Sequence, residues 1–256
     1  KSLPFHVSVS KYTPIGEFQG VVGGDYTGNV VKLSDDGNIV AVASYMPSSA
    51  GSGNVRVFHY DSDSKVWNQR LPTLTADTNY SERLGTSMAM SFDGSIIAAG
   101  SPSYNGNFTE SGRVKVWKWD DNTNLYAPIG QDLNDGTQTG DRFGYNLTLS
   151  GNGQVLVVGS NKYPSGYFRS YSYNVGNNSW DPIGQIFNQS NYPGPLALNT
   201  NGNILAVGTP RENSDRGKVR LYEWDETTSN WLETRPELVG DNSKDHFGHS
   251  LDMNDD

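Results

Sequence analysis

Apolar and polar residues alternate in short runs that recur along the chain. In each repeat, one run follows a glycine and a second run follows a turn about nine residues later. The turn dipeptides are Asp36-Gly37, Asp93-Gly94, Asn152-Gly153 and Asn201-Gly202. Alternation over a few residues is typical of half-buried β-strands, and Asp-Gly or Asn-Gly between two such runs indicates a hairpin. The pattern therefore predicts antiparallel hairpins that are closed by two-residue turns.

Each repeat also contains a third and a fourth apolar run. The third run begins at a glycine and ends at an aromatic residue, over Gly53–Tyr60, Gly112–Trp119, Gly166–Tyr173 and Gly217–Trp224. A second aromatic residue follows each run seven positions later: Trp67, Tyr126, Trp180 and Trp231. We expect these four residues to occupy equivalent places on fourth strands, at least partly buried between neighbouring repeats.

The repeat predicts an all-β fold, namely a β-propeller built from four-stranded antiparallel blades. A four-stranded sheet that recurs about every 50–59 residues is typical of a propeller blade. The expected divisions are a partial blade over 1–24, blades over 25–81, 82–140, 141–190 and 191–240, and a partial blade over 241–256. Because the chain starts and stops inside a repeat, we expect it to be a fragment of a longer chain.

Composition narrows the classes of partner. The net charge is −9, which argues against nucleic acid or an anionic membrane surface because both attract clustered Lys and Arg. No apolar run is long enough to span a membrane. The chain has no cysteine, which removes disulfides, thiol chemistry and cysteine-zinc sites. A protein or a glycan is the expected partner, and membership of a larger assembly is compatible with the sequence.

The segments that open the first strands resemble FG-GAP repeats. Asp141-Arg142-Phe143-Gly144 and Asp245-His246-Phe247-Gly248 match the Asp-x-Phe-Gly part of that motif, and Gly208-Thr209-Pro210 matches the end of the second strand. The propeller of integrin α-chains is built from such repeats, so the resemblance implies a propeller at the cell surface. Leu33–Gly37 and the apolar run after it also look like a WD40 repeat.

The resemblance raises the question of calcium. Integrin-type blades often carry a calcium loop between the first two strands. A two-residue turn cannot supply the six to eight oxygens that calcium takes, so the resemblance does not carry calcium to Asp36-Gly37 or its equivalents. No cofactor is required by the sequence, and calcium is the ion that the resemblance makes worth testing.

Four acidic residues stand three positions before a strand-opening glycine: Asp25, Glu82, Asp141 and Asp245. Equivalent positions in a propeller form a ring around one mouth. One interpretation is a rim that binds a cation or an amine, and the other is a hydrogen-bonded cap of a turn that recurs because the blade recurs. These residues are the candidate metal ligands.

No catalytic residue is expected. The sequence holds no nucleophile elbow, phosphate loop or His-Glu-x-x-His motif. His246 and His249 are three apart on a predicted strand, so their side chains should face opposite sides and should not share a metal. Asn79, Asn107 and Asn188 begin Asn-x-Ser/Thr motifs in predicted loops and are candidate glycan acceptors.

These patterns favour a non-catalytic extracellular or cell-surface module for adhesion, recognition or structure, which is not an enzyme. It would bind a protein or glycan through the loops that lead into the first strands on one propeller face. Two alternatives stay open: an intracellular WD40-like scaffold, and a propeller enzyme that acts on glycans.

Overall fold

The chain folds as a β-propeller, as the repeat predicts. The computed structural model describes residues 15–45, 51–77, 82–162, 166–189, 194–233 and 236–254. Blade 1 contains β1 Thr27–Leu33, β2 Ile39–Ser44, β3 Asn54–Asp61 and β4 Val66–Thr75. Blade 2 contains β5 Ser87–Met90, β6 Ile96–Ser101, β7 Arg113–Asp120 and β8 Leu125–Pro128. Blade 3 contains β9 Asn146–Leu149, β10 Val155–Ser160, β11 Gly166–Asn174 and β12 Ser179–Gln189. Blade 4 contains β13 Leu196–Leu198, β14 Ile204–Thr209, β15 Lys218–Asp225 and β16 Asn230–Glu233, with β17 Leu238–Val239 paired to β15.

Within each blade the strands pair in chain order and antiparallel. Blades 1 and 2 are also joined by parallel bridges, between Leu71 of β4 and Leu125 of β8 and between Gly53 and Leu84. The first strands of successive blades lie against one another, β1 beside β5, β5 beside β9 and β9 beside β13. They are therefore the innermost strands. In the described ranges the one helical element is α1, Glu212–Asp215, in which Asn213 and Ser214 have left-handed backbone angles.

The first hairpins turn where the sequence predicts, but their loops are longer than expected. The backbone nitrogen of Ser34 donates to the oxygen of Ile39 at 2.8 Å, and the nitrogen of Gly37 donates to the oxygen of Ser34 at 2.9 Å. The loop therefore holds residues 35–38, with Gly37 at a φ of 73° that glycine adopts at low cost. The expectation of two-residue turns is wrong.

Side chains explain the longer loop. The Ser34 hydroxyl accepts from the Ile39 nitrogen at 2.9 Å, and the Asp36 carboxylate accepts from the Ser34 hydroxyl at 2.6 Å and from the Asn38 nitrogen at 2.9 Å. The hydrogen bond from Ser34, followed by those from Asn38, lowers the pKa of Asp36 to about 2. Ser91 with Asp93 and Ser150 with Asn152 repeat this arrangement, and Asn199 replaces the serine in blade 4.

The core lies between the blades rather than inside any one of them. One apolar cluster joins blades 1 and 2, a second joins blades 2 and 3, and a third joins blades 3 and 4. The four fourth-strand aromatic residues pair with the third-strand aromatics as predicted: Tyr60 with Trp67, Trp119 with Tyr126, Tyr173 with Trp180, and Trp224 with Trp231. Tyr126, Trp180 and Trp231 are buried and Trp67 is half-buried, so that prediction is confirmed.

A glycine followed by a glutamine at the end of blades 2 and 3 contacts the fourth-strand tryptophan of the next blade. The Gln131 side-chain amide donates to the Trp180 oxygen at 2.7 Å and accepts from the Trp180 nitrogen at 3.0 Å, and Gln185 contacts Trp231 in the same way. Gly130 lies against the indole of Trp180, where a Cβ would come within 2.5 Å of Cδ1. The amide and the glycine therefore hold each tryptophan against the preceding blade.

Candidate functional site

The acidic residues that precede the first strands cap turns. The Asp141 carboxylate is fully buried and accepts from the backbone nitrogens of Thr137 at 2.6 Å and Gln138 at 3.1 Å. Asp25 likewise accepts from the nitrogen of Val21 at 2.8 Å. Burial acts to raise the pKa of Asp25, but the hydrogen bonds from backbone nitrogens lower it overall. These geometries match the turn-capping interpretation.

Of the other two acidic positions, Glu82 forms an ion pair and Asp245 caps a turn. Glu82 is buried, and its carboxylate lies 2.6 Å from the Arg113 guanidinium. Asp245 is exposed and accepts from the Asn242 nitrogen at 2.6 Å. Over the described part of the chain, no three His, Asp or Glu side chains converge in a way that could hold a metal ion. Calcium binding stays a prediction.

The residue that follows each of the four acidic positions has a backbone conformation that a β-strand does not adopt. Tyr26, Arg83, Arg142 and His246 all have left-handed backbone angles, with φ between 52° and 61°. Each of these residues lies two positions before the glycine that opens a first strand. Arg83, Arg142 and His246 consequently line the space where the inner ends of the blades meet.

Two contiguous cavities form what we call the inner groove. The larger cavity, about 670 Å³, lies between blades 3 and 4 and the segment that follows blade 4. The smaller cavity, about 300 Å³, lies between blades 1 and 2 and the start of blade 3. Both are lined by Arg142, Tyr145 and Asn146. The larger cavity is also lined by Asn161, Gly194, Pro195, Pro210, Arg211, His246 and His249, and the smaller one by Asn29, Tyr45, Arg83, Thr86, Pro102 and Ser103.

The charge of the inner groove is opposite to that of the chain. Asp and Glu outnumber Lys and Arg by 28 to 19 in the whole sequence, yet no carboxylate is among the described residues that line the groove. Its ionisable side chains are three arginines, two histidines and two tyrosines. One of the arginines, Arg142, also contacts Glu110, to which its Nε and Nη2 donate at 3.1 and 2.9 Å. The groove can therefore attract an anion, or negative charge that develops during a reaction.

Asn161 adds a polar group to the larger cavity that has an unused acceptor. The residue is 8% exposed, and among the described residues its Oδ1 has no hydrogen-bond partner. Its neighbour in the cavity, Asn146, donates to the oxygen of Gly194 at 3.0 Å. Because a buried polar atom without a partner is costly, the Asn161 amide oxygen is a place where a ligand hydroxyl or a water would bind favourably.

The structure corrects the expectation about the histidines. His246 and His249 line the same cavity, whereas an extended strand would place them on opposite faces. The difference arises because residues 246–249 form a turn: His246 and Gly248 have φ of 52° and 80°, and the His249 nitrogen donates to the His246 oxygen at 3.1 Å. No sequence motif predicts that His246 and His249 lie in the same cavity. The shared position before each first strand was the one signal that could have grouped Arg83, Arg142 and His246.

The segment that presents Arg211 is held by an ion-pair network. Glu212 accepts from both terminal nitrogens of Arg220, at 2.9 and 3.0 Å, and from the Thr209 hydroxyl at 2.9 Å. The hydrogen bond from Arg220 is the largest effect and lowers the pKa of Glu212 to about 2. Lys218 lies 3.4 Å from the same carboxylate. Glu212 therefore fixes the backbone on which Arg211 reaches the larger cavity.

This network predicts an acid sensitivity that Glu212→Gln should remove. Since the folded-state pKa of Glu212 is below its ordinary value of 4.5, the ion pair stabilises the fold above about pH 4.5 and is lost as the pH falls toward 2. Glu212→Gln should be less stable than the parent at pH 7, and the difference should become smaller as the pH falls from 4.5 toward 2. Urea unfolding at pH 7, 4 and 3 measures it, with the exposed Glu223→Gln as control. A difference that stays constant with pH would contradict this assignment.

The candidate glycan acceptors fall in different settings. Asn107 is exposed in the loop between β6 and β7. Asn188 is exposed but lies on β12, paired with Tyr167, rather than in a loop. Asn79 lies outside the described residues. Glycosylation stays a prediction for all three.

The described residues contain no helix that is both long enough and apolar enough to span a bilayer.

Comparison with known proteins gives the fold but no family. No family model and no curated protein sequence matches the chain. Solved structures do match. One is a Bacteroides uniformis protein whose assignment as a 6-phosphogluconolactonase is itself provisional, with a TM-score of 0.59, 16% identity, and coverage of 82% of this chain and 54% of that one. Another is the periplasmic gluconolactonase of Pseudomonas aeruginosa, with a TM-score of 0.50, 15% identity, and coverage of 83% and 57%. A third is the hydrazine synthase of Kuenenia stuttgartiensis, with a TM-score of 0.50, 12% identity, and coverage of 88% and 53%.

These matches correct two expectations. The solved structures contradict the main expectation of a non-catalytic adhesion, recognition or structural module, and with it the expectation that the chain is not an enzyme, because they include two lactonases. They agree better with the alternative of a propeller enzyme that acts on glycans. The chain spans about half the length of the structures it matches. At this identity the likeness itself establishes the propeller fold, which hosts unrelated chemistries.

Proposed function

We propose that the inner groove is part of the active site of a propeller enzyme that hydrolyses a sugar lactone. The observation that carries this proposal is the set of side chains in the larger cavity, where His246 and His249 lie with Arg142 and Arg211 and no carboxylate lines the described walls. The two lactonases among the solved structures support the choice of substrate class.

The side chains favour a lactone over a glycosidic bond. Glycoside hydrolysis ordinarily needs two carboxyl groups that flank the bond, one as acid and one as base or nucleophile. The described walls of the inner groove supply neither. A lactone is a cyclic ester with a reactive carbonyl, so it needs only a base for water and a positive group for the carbonyl oxygen. Histidine and arginine provide these.

The reaction follows from these roles. An imidazole takes a proton from water as the water oxygen bonds to the lactone carbonyl carbon. The carbonyl oxygen becomes negative, and an arginine side chain stabilises that charge. The ring C–O bond then breaks, and the leaving alkoxide takes the proton back from the imidazolium. The product is the open-chain hydroxy acid, and the imidazole returns to its starting state. The free acceptor on Asn161 is suited to a sugar hydroxyl.

The test uses D-glucono-1,5-lactone and the purified chain. We expect ring opening faster than the spontaneous rate, measured by titration of the acid released at constant pH. His246→Asn and His249→Asn separate the two imidazoles, and Asn suits the left-handed φ of residue 246. Loss of the general base should reduce kcat by about 10²- to 10⁴-fold.

A matched control is His59→Asn. His59 lies in a separate cavity on the outer side of blades 1 and 2, so its replacement should leave the rate unchanged. A parent chain that opens no sugar lactone, neutral or anionic, faster than buffer, or a His246, His249 double variant as fast as the parent, would refute the proposal.

The narrower family assignment is a separate proposal. The acid-x-apolar-Gly segments at Glu82–Gly85, Asp141–Gly144 and Asp245–Gly248 support an FG-GAP-type repeat, and the acidic side chains of the second and third segments cap turns. Extracellular location belongs with it, and the exposed Asn107 makes it testable. Expression through a eukaryotic secretory pathway, followed by intact mass before and after deglycosylation, should show a glycan that Asn107→Gln removes.

A further inference from the structure

The smaller cavity of the inner groove contains an arginine whose charge no described carboxylate balances. Arg83 is exposed and lines that cavity, and in the part of the chain that the structure describes it forms no ion pair. Most basic residues on the third strands, in contrast, are paired. Arg113, Lys115, Arg169, Lys218 and Arg220 each contact at least one carboxylate. Arg83 thus brings an unbalanced positive charge to the groove, in a chain whose net charge is −9.

The backbone holds Arg83 in place. Its neighbours Glu82 and Leu84 are both buried, and its own φ is 61°. The Thr86 hydroxyl donates to the Arg83 oxygen at 2.7 Å, and the Thr86 nitrogen donates to the same oxygen at 3.1 Å. The guanidinium therefore projects from a fixed turn and not from a free loop, which reduces the entropy that a bound ligand must overcome.

Neutral hydrogen-bonding groups line the same cavity as Arg83. The cavity is also lined by Tyr45, Thr86 and Ser103, which carry hydroxyls, and by Asn29. Asn29 donates weakly to the oxygens of Gly85 and Thr86, at 3.4 and 3.3 Å. Hydroxyls and a guanidinium around a concave site with no carboxylate are the donors that a phosphate or carboxylate group prefers.

The position of the smaller cavity relates this anion site to the reaction. Both cavities share Arg142, Tyr145 and Asn146, so a molecule that extends from one to the other would pass these residues. We infer that Arg83 forms an anion subsite, and that the substrate is a sugar lactone with a phosphate or carboxylate at the end remote from the carbonyl. This inference rests on the proposed function, since the lactone carbonyl is placed by His246 and His249.

Calorimetry with inorganic phosphate tests the subsite without any reaction. We expect phosphate to bind the parent chain, and Arg83→Gln to weaken that binding by about 10- to 100-fold, the size of a hydrogen-bonded charge contact. Arg83→Lys keeps the charge and should retain part of the affinity, which distinguishes loss of the site from loss of the fold. Lys118→Gln removes the same charge from an exposed strand position outside the groove and should bind phosphate like the parent. Equal phosphate affinity in Arg83→Gln and the parent would overturn the inference.

Three lactones separate the two kinds of anion. D-Glucono-1,5-lactone is neutral, its 6-phosphate carries a phosphate, and glucaro-1,4-lactone carries a carboxylate. We expect at least one anionic lactone to have a kcat/KM about 10-fold or more above that of the neutral lactone, and Arg83→Gln to reduce this preference mainly through KM. Hydrolysis with no preference for either anion would overturn the inference and leave the proposed function standing. Phosphate binding through Arg83 with no hydrolysis of any lactone would leave the anion subsite and refute the proposed function.

Discussion

Replacing Trp180 with alanine should lower the free energy of unfolding by about 3–5 kcal/mol, the usual loss for a large aromatic residue removed from a core. Trp180 is 0% exposed and belongs to the apolar cluster between blades 2 and 3. Its ring lies 5.1 Å from that of Tyr173, and Gly130 covers it from the preceding blade. The truncation would leave a cavity on both sides of a blade junction. Urea unfolding followed by far-ultraviolet circular dichroism measures the effect.

Trp67→Ala is the matched comparison because Trp67 holds the same place in blade 1 but is half-buried. Its loss should be clearly smaller than that of Trp180→Ala. Equal losses would mean that the blade 2–3 junction does not carry the stability that its burial implies.

Replacing Trp180 and Trp231 with phenylalanine separates the contribution of packing from that of hydrogen bonding. The Trp180 Nε1 is buried and has no hydrogen-bond partner in the described structure, whereas the Trp231 Nε1 donates to the Ser170 hydroxyl at 3.0 Å. Trp231→Phe should therefore cost about 1–3 kcal/mol more than Trp180→Phe, because it removes the N–H donor of a buried hydroxyl.

Gly112→Ala should destabilise the fold by about 2–5 kcal/mol. Gly112 has a φ of 85°, an angle that costs a residue with a side chain about 1–2 kcal/mol. A Cβ at this position would also overlap the backbone nitrogen and oxygen of Phe143, which opens the next blade and pairs with Gly112 in a parallel bridge. Relief of that overlap requires the blades to move apart, at about 1–3 kcal/mol more.

Gly140→Ala isolates the two contributions. Gly140 has a similar φ of 76°, but no atom of the described residues lies within 4 Å of the Cβ that alanine would add. It should therefore show only the conformational cost. Thermal and urea unfolding of both variants measure the difference. If Gly112→Ala cost no more than Gly140→Ala, the close approach of the two blade backbones would not limit the packing of the propeller.

The sequence by itself determined the repeat, the strands and the aromatic pairs. These features depend on residues near one another in the chain, where alternation, turn glycines and a constant spacing act on one hairpin at a time. Trp224 and Trp231, for example, had to pair once the intervening turn was placed. The length of the hairpin loops was not predicted, because the Ser34 and Asp36 side chains replace backbone hydrogen bonds and lengthen the turn.

The tertiary structure alone decided the groove. His246 and His249 line one cavity because His246 and Gly248 have positive φ. The alternation of side chains along a strand assumes that no residue has a positive φ. Arg83 and Arg142 join the groove because the inner ends of successive blades meet, although the two residues are far apart in the chain. The same assembly buries Glu82 against Arg113, a contact between residues far apart in the chain that local sequence could not show. The charge of a site depends on which side chains face the cavity in the folded chain. A chain with a net charge of −9 can therefore contain a groove that is lined by arginine and histidine.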